Sequence, residues 1–339
     1  MDKSVGIESI EQELTALWSD FGTDTEAAPV IRACSMNLVA VVGEDADRGS
    51  VEHMLIGLTG DHPARAFLVV LDRAAPDLET TVSARCSIPL PGEKQVCSEQ
   101  ITLIAPPGAA GRIPSIVSSL LVPDVPVVVW VDRSFPFPEF RQISAMSDLV
   151  ILDSAGDRDF TLAMQLLKHN HRVQFRDLAW ERTEFWRRLT SLLFEKPELL
   201  NKLTDLSTVE VTWAGSDKGV SGESSAMLFG GWISHSLNRL PGPEYPLPGI
   251  TFSESGEQMA ISGLCSIRFT FRDGVSYLLA MSNGGKCPVV TQSSDGKVVS
   301  EDIYPIRDVD EEQRMSTLLT TYEQYPGYLN VLHTVTGWK

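Results

Sequence analysis

The sequence has no run of apolar residues approaching the ~20 that carry a helix across a bilayer, and its opening, MDKSVGIESIEQELTALWSDF, is acidic and amphipathic. The basic segment followed by an apolar one that marks a secretion signal is missing there. Both absences argue against a membrane anchor and against export by that route, and point to the cytoplasm. Cysteine is scarce: Cys34, Cys86, Cys97, Cys265 and Cys287 make an odd, scattered set without a C-x-x-C pair. That set predicts neither a disulfide framework nor a zinc site and suits a reducing compartment. Six histidines without an H-E-x-x-H pattern supply no converging metal ligands. Basic residues are outnumbered, 28 against 45 acidic, for a net charge of −17. Such a field repels phosphate backbones and anionic headgroups, so nucleic acid and membrane surfaces are poor partners, while a basic patch on another protein stays open.

Catalytic signatures are missing too. No serine sits in a G-x-S-x-G elbow, and nothing local to Cys34, Cys86 or Cys97 would lower a thiol pKa. Neither the dinucleotide nor the P-loop glycine spacing occurs. The nearest approach is PPGAAGR, Pro106 to Arg112, where backbone amides and Arg112 stand at the start of an expected helix as a candidate phosphate contact. An ordinary strand-to-helix loop explains it more simply. His62, at the mouth of an expected strand, reads as a hydrogen-bonding turn residue, and NGGKCP, Asn283 to Pro288, as a hairpin turn. These readings leave no assigned catalytic residue, metal or cofactor.

What is present is an ordinary globular composition, 43% hydrophobic and 22% charged, in a chain long enough for two domains. Ile10, Leu14, Leu17 and Trp18 recur at helical spacing, giving an N-terminal amphipathic helix able to dock on the body or on a partner. Strand-like runs at 30–42, 66–71, 80–88, 100–104, 123–132 and 148–153 alternate with helical periodicity at 51–58 and 113–121. PDVPVVVWVD has the unbroken apolar run of a strand covered on both faces. A connecting helix near Phe160 to Leu167, a longer one through DLAWERTEFWRRLTSLLF and a strand at 208–214 follow. In SSAMLFGGWISHSL the paired glycines predict close helix packing. From Ile250 to Asp302 strand follows strand, with Asp273-Gly274 and Asp295-Gly296 as turns. The fold class is α/β (α+β): residues 1–28 as helix and linker, 29–156 as a mixed α/β domain, and 157–339 as a mostly antiparallel sheet with flanking helices.

The segment with the most distinctive composition is DLAWERTEFWRR, Asp177 to Arg188, which joins two tryptophans to three arginines. Those residue types dominate binding hot spots. Asp177, Trp180, Arg182, Trp186 and Arg187 are the candidate partner-binding residues, with a domain-bridging helix of inward tryptophans as the equal alternative.

Several segments together resemble the glucose-6-phosphate dehydrogenase assembly protein OpcA family: HPARAFLVVLD, LLVPDVPVVVWVD, DLVILDS, DLAWERTEFWRRL and MLFGGWISHSL, in the family's order. The resemblance implies a non-catalytic partner of glucose-6-phosphate dehydrogenase that assembles or activates it in the oxidative pentose phosphate pathway. It also raises thiol redox control, for which Cys265 and Cys287, on neighbouring expected strands, are the candidate pair. A sugar-phosphate isomerase or lactonase, or a sugar-phosphate sensor, with a pocket at Arg112, is the alternative.

Overall fold

The computed structural model describes residues 3–21, 30–32, 34–44, 46–87, 95–132, 139–155, 157, 159–169, 172–216, 220–240, 245–259, 263–281, 287–304, 309–320 and 326–338. In chain order the first half holds β1 (Lys3–Ser4), α1 (Ile10–Phe21), β2 (Val30–Arg32), β3 (Met36–Val42), α2 (Arg48–Asp61), β4 (Ala64–Leu71), β5 (Glu79–Ser87) and β6 (Gln95–Ala105). Then come α3 (Ile113–Leu120), β7 (Val127–Val131), α4 (Phe140–Ala145), β8 (Leu149–Leu152), α5 (Thr161–His169) and β9 (Gln174–Asp177). The second half holds α6 (Leu178–Glu181), α7 (Glu184–Phe194), α8 (Pro197–Asn201), β10 (Leu206–Ser216), α9 (Glu223–Arg239), β11 (Gly249–Met259), β12 (Gly263–Phe271), β13 (Val275–Met281), β14 (Pro288–Ser294) and β15 (Lys297–Ile303). Helices α10 (Glu311–Thr320) and α11 (Pro326–Thr336) close the chain. The architecture is mixed α/β with two sheets, as the patterning predicts.

The chain forms two compact units that interleave in sequence. One comprises Met1–Asp153, Thr161–Arg176 and Asp310–Glu323; the other Ser154–Phe160, Asp177–Val309 and Gln324–Lys339. The connecting helix α5 and the late helix α10 thus fall in the first unit.

The first unit is built on a nine-stranded sheet in the order β1-β5-β6-β4-β3-β7-β8-β9, with β2 beside β6. Strands β6, β4, β3, β7 and β8 pair in parallel. Numbered along the chain without the antiparallel β5, the strands from β3 onward read 3-2-1-4-5-6 across the sheet, the order of dinucleotide-binding domains. All five residues of β7 are buried, which explains its unbroken apolar run. Helix α1 docks on this body: Ile10 and Leu14 are buried, Glu11 bonds the Arg65 guanidinium at 2.6 Å, and the Trp18 indole donates to Glu99.

The cysteine reading needs two corrections. Cys97 is disulfide-bonded, and the residue registered opposite it on β5 is Cys86. Scattered spacing hides that juxtaposition, because an antiparallel register sets residues from different parts of the sequence opposite one another. Cys265 and Cys287 are thiols on β12 and just before β14, and β13 lies between those strands. Two strand spacings are about 9.6 Å, beyond the ~7 Å Cα separation a disulfide spans. The expected turn at Asn283 to Pro288 falls largely outside the described residues.

The second unit is a six-stranded sheet, β11-β10-β12-β13-β14-β15. Only the β10–β11 pair is parallel. The β14–β15 hairpin turns at Asp295 (φ 49°) and Gly296 (φ 76°), both left-handed, as a two-residue type I′ turn requires. Apolar residues of α7, α9 and one sheet face, among them Phe185, Leu189, Phe229, Val211 and Phe269, make the core. The glycine pair of α9 works in two directions. A Cβ on Gly230 would meet Phe252 at 2.9 Å, and one on Gly231 would meet Val335 of α11 at 2.5 Å. Gly231→Ala is therefore expected to cost about 1–3 kcal/mol through overpacking, outweighing the gain in helix propensity. Chemical denaturation measures this directly.

On the same helix, burial first and the Arg239 charge second lower the His235 pKa from its ordinary value. The folded chain then binds the proton less readily than the unfolded one. Stability from this residue is full above about pH 6.5, the unfolded value, and falls as pH drops through it toward the folded value. Unfolding midpoints at pH 7.5 and 5.5 should differ less in His235→Gln than in the parent.

Candidate functional site

The segment singled out by composition begins where β9 ends. Asp177 has extended backbone and caps α6, accepting a hydrogen bond from the Ala179 amide at 3.0 Å. Its carboxylate also accepts from the Ser154 amide (3.0 Å), the Ser154 hydroxyl (2.6 Å) and the Tyr328 hydroxyl (2.8 Å). Asp177 is wholly buried. Burial, and then the Asp177 charge, push the Tyr328 phenol well above its ordinary range. Tyr328 therefore stays protonated and donating.

The helix expected through this segment is broken. After the single turn of α6, the Thr183 amide and hydroxyl both bond the Trp180 carbonyl, at 3.0 and 2.6 Å, and α7 starts one residue later. The break folds Arg187 back over Trp180, its guanidinium carbon 3.7 Å from the ring centroid and its Nε 3.1 Å from the Thr183 hydroxyl. The Tyr328 ring tilts against that of Trp180, with centroids 5.6 Å apart, and Ser225 of α9 donates to the Ala179 carbonyl at 3.2 Å. Trp186 points into the apolar core beside Phe185. The structure thus brings Asp177, Trp180 and Arg187 into one buried cluster and places Trp186 in the core, while Arg182 is half-buried and Arg188 exposed. Ser154, Thr183, Ser225 and Tyr328 complete the cluster. Sequence reasoning missed them, because a serine or tyrosine far along the chain carries no local mark of its partner.

Chemically this arrangement holds rather than reacts. The carboxylate accepts from at least four donors, and the guanidinium is stacked in a cation–π contact. Such a cluster fixes where α6, α7, α9 and α11 stand.

The crevice of the first unit permits a direct test for a dinucleotide, which the strand order implies. The pyrophosphate of such a ligand sits on the amides at the N-terminus of the helix after the first strand. Here that helix is α2, and Asp47 occupies its end: one carboxylate oxygen accepts from the Ser50 amide at 3.2 Å and the other from the Ser50 hydroxyl at 2.7 Å. Glu44 stands in the same turn. A carboxylate where the phosphate would lie repels it, so the residues present do not fit the group.

Arg112 is exposed at the end of a short 3₁₀ turn, Pro107–Arg112, and the space beside Gly108 and Gly111 is open. It lines neither of two solvent-open clefts among α3, α4 and α5, each of about 510 Å³, whose polar residues include Arg141, Gln165, His169 and Ser118. His62 bonds Ser316 of α10 at 2.7 Å, as a hydrogen-bonding turn residue should. His169 lines one of the clefts. Among the described residues no three His, Cys, Asp or Glu side chains are grouped to hold a metal, and no helix is long and apolar enough to cross a membrane.

Comparison with known proteins adds what geometry alone does not carry. Residues 57–169 match the model of the glucose-6-phosphate dehydrogenase subunit N-terminal domain, and residues 173–332 that of its C-terminal domain. An OxPP cycle protein OpcA from Synechococcus elongatus is 28% identical over 206 residues, 56% of this chain and 44% of that protein. Its counterpart in Synechocystis sp. is 26% identical over 204 residues, 57% and 41% of the two chains. The match thus spans less than half the length of these relatives. Among solved structures, a 3-ketoreductase from Actinomadura kijaniata superposes with a TM-score of 0.45 at 10% identity, covering 88% of this chain and 94% of that one. An aldose-aldose oxidoreductase from Caulobacter crescentus gives 0.44 at 9% identity, with 88% and 94% covered. Likeness at that level carries no argument about function. The two domain matches, adjacent and in order across most of the chain, show that the chain belongs to the OpcA family of glucose-6-phosphate dehydrogenase subunits.

Proposed function

We propose that this chain is a non-catalytic cytoplasmic subunit that binds glucose-6-phosphate dehydrogenase and promotes its assembly or activity in the oxidative pentose phosphate pathway. The observation that carries the reading is the tandem match of both subunit domains over residues 57–169 and 173–332. Asp47, seated where a dinucleotide phosphate would lie, supports a binding role over redox chemistry of its own. An activator needs only to bind the active form of its partner better than the inactive one. A coupling of about 1–3 kcal/mol changes affinity roughly 5- to 150-fold.

Within the Asp177–Arg188 segment, the buried residues act by positioning, and Arg182 and Arg188 meet the partner. Arg188→Ala, at an exposed position with only a 3.9 Å surface pairing to Glu184, should weaken the complex with little change in melting temperature, whereas changes at the buried residues lower the melting temperature first. Mixing the purified chain with the dehydrogenase of the same organism, and following NADPH formation and co-elution, tests the whole reading. No complex and no change in rate would overturn it.

A further inference from the structure

One face of the second sheet is buried by α7 and α9, and the other carries half-buried or exposed residues. Cross-strand register fixes how that outer face is laid out. One row runs Glu210, Arg268, Leu278, Thr291 and Glu301 across β10, β12, β13, β14 and β15. The next runs Ser266, Ala280, Val289 and Ile303. Ile303 is 71% exposed, unusual for an isoleucine on an edge strand, and Val298 is 62% exposed. Glu210 and Arg268 pair at 3.5 Å.

We propose that this outer face packs against the same face of a second copy of the chain. A two-fold axis running along the strands between β13 and β14 reverses each row onto itself. Arg268 then lies over Glu301 of the second copy, Leu278 over Thr291, Ala280 over Val289 and Ser266 over Ile303. Opposite charges meet twice, and the aliphatic residues now in solvent become covered, so the face is complementary to its own reverse, as an isologous interface requires. Small, mostly hydroxyl and aliphatic side chains suit two sheets packed about 10 Å apart. With strands about 4.8 Å apart and about 3.3 Å of rise per residue, the four strands that this axis superposes, β12 to β15, offer a footprint of roughly 19 by 23 Å. That is about 440 Å² per partner, roughly half of the ~800 Å² of a standard interface. A dimer of this size belongs at the weak end, with dissociation on the order of micromolar.

The inference stands apart from the dehydrogenase reading. Sedimentation equilibrium of the full chain across a micromolar concentration series should show monomer and dimer. Ile303→Arg and Glu301→Arg, both at exposed edge positions that tolerate charge, should each weaken the dimer roughly tenfold with an unchanged melting temperature. Adding Arg268→Glu to Glu301→Arg should restore much of it. A parent chain monomeric throughout, or a dimer indifferent to both single changes, overturns the proposal. So does a monomeric parent whose binding to the dehydrogenase is abolished by the same two changes, since the face would then belong to that protein.

Discussion

Asp177→Ala is expected to lower unfolding stability by about 4 kcal/mol or more, because it strands several buried donors at once. The Ser154 amide and hydroxyl, the Ala179 amide and the Tyr328 hydroxyl all point at one carboxylate in the interior. A buried donor left without its acceptor costs about 1–3 kcal/mol, and hydrogen bonds to a charged group lie at the upper end of the range. Domains hold only about 5–15 kcal/mol in all. The alanine variant should therefore lose a large share of the stability of its domain. Tyr328→Phe removes one donor and leaves the others served, so about 1.5–3 kcal/mol is expected. Urea midpoints measure both losses, and an unchanged slope would show that the unfolded state is unaffected. Because the two groups share a bond, Asp177→Asn combined with Tyr328→Phe should cost less than the sum of the single changes. Additivity would show that the phenol–carboxylate bond contributes nothing.

This cluster also marks the limit of what could be read from the sequence. Strand β7 was legible because Val127 to Val131 is apolar throughout, and the β14–β15 hairpin because Asp295-Gly296 suits a left-handed two-residue turn. The α9 glycines signalled close packing, and Val331, Val335, Ile250 and Phe252 are what they pack against. In contrast, the partners of Asp177 lie 23 residues before it and 151 after it, and periodicity carries no information over such distances. Trp180 and Arg187 had hot-spot composition, but Thr183 breaks the helix between them and turns the pair inward. The dinucleotide-type strand order was hidden for a different reason. The glycine fingerprint that usually announces it is replaced by an acidic turn ending at Asp47, and the antiparallel β5 interrupts the alternation of strand and helix. The family itself was legible, through segments that include core strands β4, β7 and β8 and helix α9. Packing constrains such segments more tightly than surface.

Arg65→Met should produce the other large loss, about 3–5 kcal/mol, and its signature should differ from that of Asp177→Ala. The guanidinium is 5% exposed and bonds Glu99 through Nε at 2.7 Å, with Nη1 reaching both Glu11 and the Leu120 carbonyl. Burial works to lower its pKa, but the Glu99 charge and the bonds to Glu11 and Glu99 outweigh it and hold the group protonated. Removing Arg65 takes a bonded cation away from the buried Glu99 carboxylate, which keeps the Trp18 indole donor, and breaking a buried ion pair from one side is what makes such single changes costly. Replacing both partners together, Arg65→Met with Glu99→Leu, should recover most of the loss, since a buried pair is worth little against apolar residues of similar volume. Glu11 is more than half exposed, so Glu11→Ala should cost no more than about 1 kcal/mol. The same network holds α1 to the sheet through Glu11 and Trp18. Hydrogen exchange should therefore quicken first in Ile10 to Phe21 when Arg65 is changed, and should not do so for Asp177→Ala. Uniform exchange across the first unit would show that α1 is held by Ile10 and Leu14 alone.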